Sequence, residues 1–179
     1  AIPAPPVVFT GYHPPLWCAM AAGLVKLGGT VVAAQWMSIL FGVLKVMLVW
    51  VGVELYFKDR AARLGAIALA TILPVMIHMD GMLTNEVGSN LFAVGVVVLV
   101  PKAFSVEGRK RWWLAAAIGV VVSLQLLTKI SALTAIAVIG GAVFLELVLP
   151  QPRAWRERIK RALPFTLVVL IPIVLTGWY

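Results

Sequence analysis

Across 179 residues, 62% are hydrophobic and only 12% are charged, with a mean hydropathy of +1.02. Charged residues make up near a quarter of soluble domains, so this composition excludes a soluble globular domain. Apolar stretches also recur along the whole length, which excludes a signal peptide on such a domain.

The expected fold class is all-α: a polytopic transmembrane helix bundle with about six spans and one short interfacial helix. The first segment, residues 1–29, reads as an outer-face loop followed by that short helix. The sequence lacks an initiator Met and stops as an apolar stretch ends, so it reads as part of a longer membrane domain. Pro14 and Pro15 suit a helix start, where a missing N–H costs nothing, and Gly28-Gly29 suit its exit. At residues 14–27 this helix is too short to span, since a span needs about 20 predominantly apolar residues.

Residues 30–179 carry the bundle. The apolar runs predict spans over about 30–56, 62–78, 87–104, 112–128, 131–149 and 162–178. Lys45 lies inside the first of them, where a charge is costly and marks a functional candidate. Glu54 is too far along the helix to be its i,i+4 partner, and Glu146 on another helix is a candidate counterion. Pro74, Pro101 and Pro172 bend spans in ways that membrane bundles tolerate. The single cysteine, Cys18, cannot form an internal disulfide.

Twelve of the 15 Lys and Arg residues fall in three connections, 58–63, 102–111 and 150–161. All three lie on one side of the expected topology. By the positive-inside rule that side is cytoplasmic, with integral placement in a bacterial inner membrane as the expectation. The formal net charge of +8 therefore reports topology, and no nucleic-acid partner is expected. Trp112, Trp113 and Trp155 on the basic side, and Tyr12, Trp17, Trp178 and Tyr179 on the other, fit interfacial aromatic belts.

The opposite, outer side gathers the remaining chemistry. "GYHPPLW" presents His13, and "IHMDGMLTNEVGSN" carries His78, Asp80, Thr84, Asn85, Glu86 and Asn90. "QLLTKIS" adds Gln125, Thr128 and Lys129. Asp80 and Glu86 have the oxygen ligands for a divalent cation, a possible cofactor, or could act as acid and base. They read equally as a turn and a helix start, with Thr84 or Asn85 as N-cap and Glu86 in the favoured first turn. No HExxH or CxxC spacing supports a metal. Lys129 could pair with Asp80 or Glu86 or hold an anionic headgroup, or could simply snorkel to the interface.

"YHPPLWCAMAAGLVKLGG" resembles the His-Pro-Pro-Leu segment in the first outer loop of GT-C membrane glycosyltransferases, which include protein O-mannosyltransferases and aminoarabinose transferases. "FKDRAARLGAIALATILPVMIHMDGMLTNE" is similar to that family's inner turn, span and second outer loop. "LLTKISALTAIAVI" is similar to its join between two spans. The resemblance implies transfer of a sugar from a polyprenyl-phosphate donor to an acceptor at the outer membrane face, with membrane lipids and other membrane subunits as partners. It implies substrate-binding roles for His13, Asp80, Asn85, Glu86 and Lys129. The family's acidic base lies upstream of its His-Pro-Pro-Leu segment, whereas the first acid of this chain is Glu54, so no catalytic residue is assigned. The competing expectation is a non-catalytic structural subunit of a larger membrane complex.

Overall fold

The computed structural model describes residues 15–72, 84–129, 132–149 and 154–177. His13, His78 and Asp80 lie outside the described residues. Among those described, every regular element is helical: α1 (Pro15–Lys26), α2 (Val31–Tyr56), α3 (Arg60–Ile72), α4 (Asn85–Ser105), α5 (Arg109–Leu126), α6 (Leu133–Val148), α7 (Trp155–Ala162) and α8 (Thr166–Thr176). A 3-10 turn, Leu163–Phe165, joins the last two.

Helix α1 ends as its glycines dictate. Gly28 takes the left-handed φ of 89°. Its N–H reaches Val25 O at 3.1 Å and the Gly29 N–H reaches Leu24 O at 3.0 Å. This is a Schellman closure, which satisfies carbonyls the helix end would otherwise strand and needs a residue free of Cβ strain.

Among the described residues, three helices are long and apolar enough to cross a membrane: Val32–Tyr56, Asn85–Ser105, and the continuous helical stretch Trp155–Thr176. At 1.5 Å per residue, the 26 residues of α2 extend for about 39 Å, more than the roughly 30 Å hydrocarbon core. Three expected spans coincide with shorter helices. α5 has 18 residues and begins with three basic ones, α6 has 16 residues, and 13 residues of α3 are described.

The basic 150–161 connection differs from the expected loop, because residues 155–162 form α7. Its sequence WRERIKRA puts Glu157 in the first turn and Lys160 and Arg161 in the last, an order the helix dipole favours. Pro164 then has no N–H to continue the α-helical ladder, and the chain tightens into the 3-10 turn before α8.

Helices α4 and α5 form a tight antiparallel hairpin at the centre, with α2 packed on α4 and α8 on α5. The core gathers Val96 and Ala103 from α4, Ile118 and Val122 from α5, Ile139 from α6, and Phe165 and Val168 from the last helical stretch. Phe104 and Phe165 stack with ring centroids 4.5 Å apart. Gly119 brings α5 close to α8: a Cβ there would lie 2.8 Å from Leu167 O. Such small-residue contacts let helix backbones approach where lipid supplies no hydrophobic drive. Trp36, Leu40, Met47 and Trp50 of α2 remain exposed, an apolar face suited to lipid rather than water.

One end of the bundle is basic. Arg111, 4% exposed, folds back from α5 to donate to the C-terminal carbonyls of α4. Its Nε reaches Ala103 O at 3.1 Å, and its Nη2 also bonds Val106 O. Arg161 ties α7 to the same turn, reaching Glu107 at 2.8 Å and Phe104 O at 2.9 Å, and it meets Glu146 of α6 at 3.0 Å. Glu146, the suggested counterion of Lys45, thus carries an ion pair with Arg161. At the end of α2, Tyr56 donates to Val98 O of α4 at 2.7 Å, and Glu54 pairs with Arg63 at 2.5 Å.

Candidate functional site

The opposite end is assembled from the start of α1, the start of α4 and the end of α5. Thr84 begins it as the N-cap of α4, its Oγ1 accepting from Glu86 N at 3.3 Å. That leaves the Glu86 carboxylate in the first turn, where the positive end of the helix dipole favours it. The Glu86 carboxylate accepts from Lys129 Nζ, which projects from the segment just past α5. Both side chains are about one-third exposed, 32% and 34%.

The pairing across 43 residues is fixed by backbone bonds that bracket it. Asn85 Nδ2 donates to Thr128 O at 3.2 Å. Lys129 N donates to Gln125 O at 2.7 Å, so the helix geometry carries through to the lysine before the chain turns. Thr128 Oγ1 bonds back to Leu124 O at 2.7 Å, a bond that satisfies a hydroxyl buried at the helix end.

Helix α1 joins the same end. The Leu16 N–H, one of the donors a helix start leaves open, reaches Leu127 O at 2.9 Å. Trp17, only 5% exposed, sits against Gly88 of α4, where an added Cβ would lie 3.1 Å from Trp17 Cε3 and 3.1 Å from Thr128 Cγ2. Its ring also meets Phe41 of α2 edge-on at 5.6 Å between centroids. Trp17 is therefore a packing anchor, not a member of an aromatic belt. The absence of a side chain at Gly88 creates its slot, a pairing that sequence periodicity does not reveal.

Of the residues singled out in the sequence, Asn85, Glu86 and Lys129 are brought together, with Thr84 and Thr128 beside them. His13 lies two residues before the described chain begins at Pro15, and Asp80 four residues before Thr84. Gln125, on the turn before Lys129, is buried at 5% exposure, and its Oε1 has no hydrogen-bond partner. Among the described residues no three His, Cys, Asp or Glu side chains converge as metal ligands.

Chemically, Lys129 held by the Glu86 carboxylate at this helix end presents an oriented cation. The neighbouring amide and threonine oxygens are polar, and the helices behind them are apolar. A bundle of helices long and apolar enough to cross a membrane, with a polar cluster at one end, defines the class as membrane-embedded. The family model described as dolichyl-phosphate-mannose-protein mannosyltransferase matches residues 12–179, nearly the whole chain, and the chain belongs to that family of membrane glycosyltransferases. Neither the curated proteins nor the solved structures include a match to it.

Proposed function

We propose that this chain forms part of a glycosyltransferase of the bacterial inner membrane that moves a sugar from a polyprenyl-phosphate carrier to an acceptor at the outer face. In this reading residues 1–29 form the outer loop and interfacial helix, and residues 30–179 supply six spans of the bundle. The 58–63, 102–111 and 150–161 connections are cytoplasmic. Membrane lipids surround the bundle, and other membrane subunits are further partners.

The observation that carries the reading is the Lys129–Glu86 pair at the end where α1 begins, in a chain of this family. Transfer breaks the bond between the anomeric carbon and a phosphate oxygen, so negative charge grows on the departing polyprenyl phosphate. A cation already oriented there lowers that barrier. Lys129 ends a helix beside the interface, where a prenyl-linked phosphate would rest with its tail in the bilayer. Glu86 holds the ammonium in place, and Asn85, bonded to Thr128 O, keeps the two segments in register. His13 and Asp80, a few residues from this cluster in sequence, are assigned to the same cavity as substrate-binding groups. A divalent cation held by Asp80 and Glu86 would supply the same charge stabilisation.

The test is turnover of a polyprenyl-phosphate-linked sugar by the full-length protein and its Lys129→Gln variant. Losing one oxyanion-stabilising donor in an enclosed site costs about 100-fold or more. With one-third of Lys129 open to solvent, the expectation is nearer tenfold, in kcat rather than KM. Unchanged turnover removes Lys129 from the mechanism. A parent protein inactive with every candidate donor would favour the structural-subunit reading.

A further inference from the structure

At the basic end, the α4–α5 turn and α7 enclose a groove of about 570 Å³, lined by Glu107, Arg111, Trp112, Glu157, Lys160 and Arg161. This volume lies within the range of small-ligand sites. The geometry points to a binding site for the phosphate headgroup of an anionic glycerophospholipid, at the opposite end of the bundle from the Lys129 cluster and independent of the glycosyl-transfer reading.

Three features favour that occupant. Cations outnumber carboxylates in the lining, and Arg109 and Lys110, both exposed, stand between the lining residues Gly108 and Arg111. The first turn of α5 is thus Arg109-Lys110-Arg111, with no acidic residue and no side-chain N-cap. Arg111 turns back to the α4 carbonyls, but the exposed Arg109 and Lys110 oppose the dipole of the helix start they stand on, and an anion beside them removes that conflict. The groove also has an apolar side: Trp112, Leu163 and Pro164 line it, and Trp112 is 41% exposed where the apolar helices end. A tryptophan at headgroup depth beside lysine and arginine suits a lipid, with its phosphate among the cations and its chains along the helices. A free phosphate ion would use the cations but not this apolar edge.

Within the groove Lys160 pairs with Glu157 at 2.8 Å, both side chains being well exposed at 70% and 56%. That pair separates a ligand effect from a structural one. Lipid retention is measured by native mass spectrometry on the purified full chain, titrated with phosphatidylglycerol or phosphatidylcholine. Phosphatidylglycerol is expected to be retained preferentially. Lys160→Gln should weaken it about fivefold, the effect of one cation near an anionic surface, while Lys160→Arg should keep it. Glu157→Gln should strengthen retention. Both neutralisations break the same ion pair, so a purely structural role would move retention the same way in each, and that result overturns the proposal. Equal retention of the two lipids, or displacement of phosphatidylglycerol by equimolar inorganic phosphate, overturns it as well.

Discussion

Replacing Gly88 with alanine tests how α1 is held against the α4–α5 hairpin. Inside a helix the exchange by itself gains about 1 kcal/mol, because glycine is the poorer helix former. At Gly88 the new methyl would sit 3.1 Å from Trp17 Cε3, 3.2 Å from Trp17 Cζ3 and 3.1 Å from Thr128 Cγ2. Those distances are several tenths of an ångström inside ordinary contact, and neither neighbour can retreat freely. The indole is wedged against Phe41, and Thr128 is tethered by its bond to Leu124 O. Overpacking of this kind costs about 1–3 kcal/mol, so the net effect is a destabilisation of about 1 kcal/mol. Gly23 in α1 is the internal control, since a Cβ there meets nothing within 4 Å and only the helix-propensity gain remains. In thermal unfolding of the detergent-purified protein, Gly23→Ala should raise Tm by about 2–4 °C and Gly88→Ala should lower it by a similar amount. Adding Thr128→Ser, which keeps the hydroxyl and removes Cγ2, should recover part of the loss, with a coupling above about 0.5 kcal/mol. If Gly88→Ala raised Tm as Gly23→Ala does, the close packing of Trp17 on α4 would be wrong.

Gly119→Ala should destabilise more than Gly88→Ala in the same assay, because its methyl would meet the Leu167 carbonyl at 2.8 Å and backbone cannot rotate aside as a side chain can. Arg161→Ala should cost about 2 kcal/mol, seen as a fall in Tm. It removes the donors that Arg161 gives to Glu146, 14% exposed beside apolar helices, and to the Phe104 carbonyl, although the exposed Glu107 at 78% loses little.

The helical kind of the fold was legible in the sequence for one physical reason. In a bilayer every backbone group must be bonded within its own segment, so a long apolar run has almost no alternative to a helix. Val31–Tyr56 and Asn85–Ser105 fall within two residues of the expected 30–56 and 87–104. Gly28-Gly29 announced the end of α1, since a left-handed closure is a local requirement. The cap of α4 was legible as Thr84 or Asn85, because a cap depends only on the chain two or three residues ahead, and it is Thr84.

Which groups meet at the end opposite the basic one was decided by tertiary structure. Lys129 had Asp80, Glu86, a headgroup or bare snorkelling open to it, and periodicity cannot choose between residues 43 positions apart. Among the described residues, the hairpin of α4 and α5 brings Glu86 to it, through the Asn85–Thr128 and Leu16–Leu127 bonds that set the helix ends side by side. Trp17 looked like a belt residue because an aromatic near a helix start usually is one, and only the missing side chain at Gly88 turns it inward. The Arg161–Glu146 pair was not legible either: α7 packs on α6 and brings the two within 3.0 Å. Local sequence determines where a polar group sits along its own helix, but its partner depends on how the helices cross, and that is settled by side-chain packing summed over the whole bundle.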